Sequence, residues 1–158
     1  MPMPESPKSP AEVIKISDHK LPFFKESLAT FNRQAVELGS RSSRVNLLIA
    51  VMGRSDENYA DHILEDLRIL REQLIDIGAV HSGARRYFDT SNYDLSDPPL
   101  SQITSEIGTM LNAARKKEIE IYTSAKGMSR NFSDFWQEKI DRATGDTSKI
   151  SSHNTSQK

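Results

Sequence analysis

Chemistry in this chain has to come from histidines, carboxylates, hydroxyls and basic groups, because its 158 residues include no cysteine. Thiolate metal sites, disulfides and cysteine nucleophiles are thereby excluded. The histidines are His19, His62, His81 and His153, and no two lie four apart on a helix as a zinc site of that type requires. His62 comes nearest to a metal pattern, with Asp61, Glu65 and Asp66 around it. His62 and Glu65 are spaced to share a helix face, but no second helix repeats the acid–histidine pair that a di-iron bundle needs. The cluster reads as a solvated acidic face with a histidine at its edge. No Gly-x-Ser-x-Gly elbow marks a nucleophile, and the seven glycines form no phosphate-cradling loop. We therefore assign no catalytic residue, no metal ligand and no cofactor, and read the chain as non-enzymatic.

Basic residues offer a different chemistry. Arg41, Arg44 and Arg54 fall near one end of the first helical pair, Arg85 and Arg86 follow the second, and Arg115, Lys116 and Lys117 sit on the third. If the fold brought Arg41, Arg44, Arg85, Arg86, Lys116 and Lys117 together, they would make a phosphate-contacting surface and a nucleic-acid-associated regulator. The balance of 21 basic against 22 acidic residues, a formal net charge of −1, weakens that alternative, because the whole-molecule field does not attract a polyanion. Residues 80–97 hold Arg85, Arg86, Tyr87, Phe88 and Tyr93 among Gly, Ser, Asn and Asp. Without sustained periodicity they read as a long loop and a candidate recognition surface, with packing onto the core as the plainer role of the aromatics.

These groups are positioned by apolar stripes at alternating spacings of three and four. The clearest joins Ala60, Ile63, Leu67, Leu70, Leu74 and Ile77, with Ser55 as its start and Gly78 as its stop. An earlier stripe, Phe24, Leu28, Phe31, Ala35 and Leu38, continues through Gly39 to Val45, Ile49 and Met52. That register favours one helix over about 20–52, although residues 45–52 are β-branched enough to form a buried strand. Pro98 and Pro99 announce a third helix, whose rhythm runs from Leu100 to Met128. Residues 118–123 alternate like a strand, so an α/β fold with strands near 45–52 and 118–123 is the alternative. Phe132, Phe135, Trp136 and Ile140 make a short fourth helix of at most about 13 residues, or ~20 Å.

The expected fold is mainly α: an antiparallel bundle of three long helices and one short C-terminal helix over residues 18–143. A Pro-rich arm over 1–17 and a polar tail over 144–158 read as disordered. The N-terminus has no apolar core for a secretory signal, and no apolar run approaches the ~20 residues of a membrane span, so the expected location is cytoplasmic. A short fourth helix would leave Val45, Ile49, Met52, Ile121 and Met128 bare, a surface for pairing two copies. The expected function is a helical interaction module, an adaptor, regulator or assembly subunit, working through a protein partner and as a homodimer.

Overall fold

The computed structural model describes residues 21–90 and 99–155, with side-chain surroundings over 25–87 and 100–146. Four helices make up the described chain: α1 Leu21–Met52, α2 Ala60–Thr90, α3 Pro99–Met128 and α4 Ser133–Thr155. No strand occurs among the described residues. Val45–Met52 and Glu118–Tyr122 are both helical, so the bundle stands and the strand alternative falls. Of the β-branched residues there, Val45 and Ile121 are buried on helix faces. The Pro-rich arm over 1–17 and Tyr93 lie outside the described residues.

Side-chain pairs fix the directions. Gln34 meets Thr104 and Arg41 meets Glu118, so α1 and α3 run parallel. His81 meets Phe31, and Leu38 lies beside Gly78, so α2 returns antiparallel to α1. Lys126 meets Gln137 across the turn after α3, so α4 descends along it. The order is up, down, up, down, and α1 and α3 touch each other across the centre between α2 and α4.

Three boundaries differ from the sequence reading. Ser55 does accept a bond from the Glu57 amide, at 3.1 Å, but it shapes a turn and α2 starts at Ala60. Helix α2 does not stop at Gly78. Ile77, His81 and Ala84 keep to the buried face at helical spacing, and that packing outweighs the ~1 kcal/mol that each of Gly78 and Gly83 costs in a helix. Most of the expected 80–97 loop is thus helix. Helix α4 runs 23 residues, ~35 Å, rather than the expected 13. Asp146 anchors its extension to α1, accepting from Ser40 Oγ at 2.9 Å and pairing with Arg44 at 2.8 Å.

The core fills the space between these faces. Ile63, Leu67, Leu70 and Ile77 of α2 pack against Phe31, Val45 and Leu48 of α1 and Ile107, Leu111 and Ile121 of α3. Trp136 closes one end. It is fully buried, and its indole N–H donates to Tyr59 Oη at 3.0 Å. Phe135 meets the indole edge-on at 5.0 Å, and Tyr122 tilts against it at 5.9 Å between centroids.

Candidate functional site

The middle of the bundle is ionic. Along α1 the residues facing inward are Phe31, Gln34, Glu37, Arg41, Val45, Leu48 and Met52, so three polar side chains interrupt the apolar stripe. On α3 the inward line runs Ile107, Leu111, Ala114, Glu118, Ile121 and Ala125, and Glu118 takes an apolar position. Helical spacing alone brings Glu37 and Arg41 together, one turn apart, at 2.7 Å. The parallel run of α1 and α3 then sets Glu118 opposite both Arg41 and Arg44.

Glu118 is the hub. Its Oε1 accepts from Arg41 Nη1 at 2.6 Å and from Arg44 Nη2 at 3.2 Å. Its Oε2 accepts from Arg44 Nε at 2.6 Å and from Tyr122 Oη at 2.6 Å. The Glu118 side chain is 1 % exposed and that of Arg41 is fully buried, so neither charge has water to fall back on. Asp146 extends the network to α4 through Arg44, and Arg115 approaches Glu37 at 3.6 Å. Three guanidinium groups balance three carboxylates.

Electrostatics follow from this packing. Burial works against the charge on Arg44, but the hydrogen bonds and charges of Glu118 and Asp146 outweigh it and push its pKa up. Burial also pushes the Tyr122 phenol well above its ordinary value, and the adjacent Glu118 carboxylate adds to the rise. Tyr122 therefore remains a donor to Glu118 throughout the neutral range. A sealed carboxylate with four donors already on it is not placed to abstract a substrate proton. The arrangement locks α1, α3 and α4 in one register instead, since a slip of any helix strands a buried charge.

This network changes the outside of α1. Between Gln34 and Met52 the only charged residues are Glu37, Arg41 and Arg44, and all three point inward. The outer face is left with Val36, Gly39, Ser43, Asn46, Leu47, Ala50 and Val51, every one exposed. Val36 is 69 % exposed and Leu47 60 %. By contrast, the outer faces of the other helices carry exposed charges: Asp61, Glu65, Arg68 and Glu72 on α2, and Asp134, Glu138 and Arg142 on α4.

The residues singled out in the sequence scatter accordingly. Arg85, Arg86, Tyr87 and Phe88 lie on the last turns of α2, not on a loop. Arg85 covers the Phe31 ring at 5.0 Å and donates to Asn32 Oδ1 at 3.0 Å. Phe31 in turn stacks on His81 at 3.8 Å, and the His81 Nε2 lies 2.9 Å from the Phe31 carbonyl. This corner of the bundle therefore uses Arg85 and His81 structurally. Arg41 and Arg44, expected on a basic surface, are held inside with acidic partners, while Lys116 is exposed and Lys117 half-buried. Val45, Met52 and Ile121, expected on a pairing surface, are core residues; Ile49 is half-buried against them, and Met128 is exposed at 43 %. His62 stands on the surface 3.9 Å from Asp66, and no group of three metal-ligating side chains assembles among the described residues.

Sequence reasoning missed Glu118, Arg41 and Glu37 as interior residues. The trace was present: Glu37–Arg41 are four apart, and Glu118–Tyr122 likewise, each in phase with the buried line. No family model matches this chain, and comparisons with curated proteins and with solved structures find no match.

Proposed function

We propose that the protein is a non-enzymatic helical interaction module that works through the charge-free outer face of α1, and that its first partner is a second copy of itself. The observation that carries this reading is the neutrality of that face. In a chain whose composition is 27 % charged, the ~22 Å from Val36 to Val51 has no charged residue among its exposed ones. A partner recognised by charge has nothing there to read, and exposed apolar surface of this kind is characteristic of contact sites.

The face is also complementary to itself. Leu47 projects from it, and at Gly39, eight residues earlier, the space where a side chain would begin is open. A two-fold axis passing Ser43 sets each Leu47 over the partner copy's Gly39 and each Val36 over the partner copy's Ala50, with the two α1 helices antiparallel. Such an isologous contact closes after two copies. It draws on the outer face of α1, whereas Val45 and Met52 already serve the core.

Light scattering at micromolar concentration tests the reading. The expected mass is that of a dimer, falling to a monomer in Leu47→Glu with the helical content kept. Ile69→Glu, on exposed α2 surface, should leave the dimer intact. A monomeric parent chain, or a Leu47→Glu variant as dimeric as its parent, would refute it.

A further inference from the structure

Helix α4 is held to the bundle in two different ways. Up to Ala143 the contact is apolar: Trp136 and Ala143 are fully buried, and Phe135 and Ile140 pack beside the core. Past Ala143 that contact ends. Thr144 is exposed, and among the described residues beyond it Asp146 alone bonds to another helix. Its Oδ2 accepts from Ser40 Oγ at 2.9 Å and from Arg44 Nη2 at 2.8 Å. Both donors belong to α1 and stand one turn apart, so a single carboxylate oxygen clamps the end of α4.

The sequence weakens the helix on each side of that clamp. Gly145 precedes it, and glycine is among the poorest helix formers. No close approach demands a glycine there, because a Cβ at that position would meet no atom within 4 Å. After the clamp the sequence runs TSKISSHNT, mostly short polar and β-branched residues of low helix propensity. Turns of this composition do not hold a helix in water unaided, yet α4 continues to Thr155. The described tie that keeps this end in place is Asp146.

The α1 side tolerates losing the clamp. Arg44 retains Glu118, whose Oε2 accepts from its Nε at 2.6 Å, and Arg41 retains both Glu37 and Glu118. The ionic network joining α1 to α3 therefore stands without the end of α4. We propose that residues 145–155 form a strap that opens as a unit about Gly145 while the rest of the bundle stays shut, with Asp146 as its latch. Opening uncovers Ser40 and Arg44 and turns their two donors toward water, next to Gly39 and Ser43 on the neutral face of α1. Switching elements are drawn from sub-global openings of this kind.

Hydrogen exchange of the full chain, followed peptide by peptide in a mass spectrometer, tests the strap. In the parent chain residues 147–155 should exchange about tenfold or more slowly than an unstructured chain, and about tenfold or more faster than residues 111–125 of α3. Asp146→Ala removes the latch while installing a better helix former, so propensity alone would slow exchange. It should instead speed exchange of 147–155 by about tenfold, with 111–125 still about tenfold or more slower than the strap. Gly145→Ala fills open space and leaves the latch in place; it should slow the strap by about twofold or more. A strap as slow as α3, or unprotected, in the parent chain would overturn the proposal. So would unchanged exchange in Asp146→Ala, or an Asp146→Ala variant in which α3 loosens with the strap. Unchanged exchange in Gly145→Ala would remove the hinge from that residue.

Discussion

Glu118→Gln should be the most informative substitution inside the bundle. Four donors converge on the carboxylate: Arg41 Nη1, Arg44 Nε, Arg44 Nη2 and Tyr122 Oη. Glutamine keeps the shape but offers one acceptor oxygen and turns an NH₂ toward groups that can only donate or prefer to. At least two of the four donors then lose their acceptor. A buried unsatisfied group costs ~1–3 kcal/mol, which puts the loss at ~2–6 kcal/mol. Breaking buried ion pairs by removing one member costs ~3–5 kcal/mol, in the same range. Arg41 keeps Glu37 and Arg44 keeps Asp146, which favours the lower part, about 3 kcal/mol. Against a typical total of ~5–15 kcal/mol this is a large fraction. Urea denaturation followed by far-ultraviolet circular dichroism, at one fixed protein concentration, reads it directly. At a slope of ~1–3 kcal/mol per molar, the midpoint should fall by ~1–3 M. Lys116→Gln, on the exposed side of α3, should stay within ~0.5 kcal/mol of the parent. A Glu118→Gln loss below ~1 kcal/mol would show that the network does not hold the helices.

Three further expectations rest on separate features. Because burial and then Glu118 raise the Tyr122 pKa in the folded state, its contribution is complete below the ordinary tyrosine value of ~10 and declines as pH rises above it; Tyr122→Phe should flatten the fall of stability between about pH 9 and 11. An unchanged slope in unfolding experiments over that interval would contradict the assignment. Trp136→Ala removes the largest fully buried side chain together with its bond to Tyr59, and should cost ~3–5 kcal/mol by chemical denaturation. A cost under ~2 kcal/mol would mean that this end of the bundle is not closed by the indole. Gly83→Ala places a methyl group in open space on an exposed helical position and should stabilise by ~0.4–1 kcal/mol in the same assay.

Much of the bundle is legible in residue spacing. The α1 register runs through Gly39, and the stripe from Ala60 to Ile77 is the α2 core as read. Periodicity sees apolar residues, however, and the centre of this protein is built from charged ones. Glu37, Arg41 and Glu118 hold core positions that a hydrophobic template scores as solvent. Their identity as interior groups depends on each finding its partner across helices, at separations such as 77 residues for Arg41–Glu118. The ends of α2 and α4 differ from the sequence reading for a related reason. Gly78 and Gly83 weaken a helix locally, and Ala143 begins a polar stretch, but tertiary contacts by His81, Ala84 and Asp146 carry both helices past those points. The neutrality of the α1 outer face likewise depends on Glu37, Arg41 and Arg44 turning inward to partners.

Pairing of two copies through that face, as proposed, would set a two-fold axis near Ser43. The absence of native cysteine allows a direct test, because any single introduced cysteine reports only on itself. Disulfide formation needs Cα atoms ~4.4–6.8 Å apart, a distance that only residues beside a two-fold axis share with their own copy. Ser43→Cys should oxidise to a covalent dimer rapidly and in high yield, while Glu72→Cys, on the outside of α2, should form no covalent cross-link under the same oxidant. A Ser43→Cys protein that cross-links no faster than Glu72→Cys would rule out the pairing through α1.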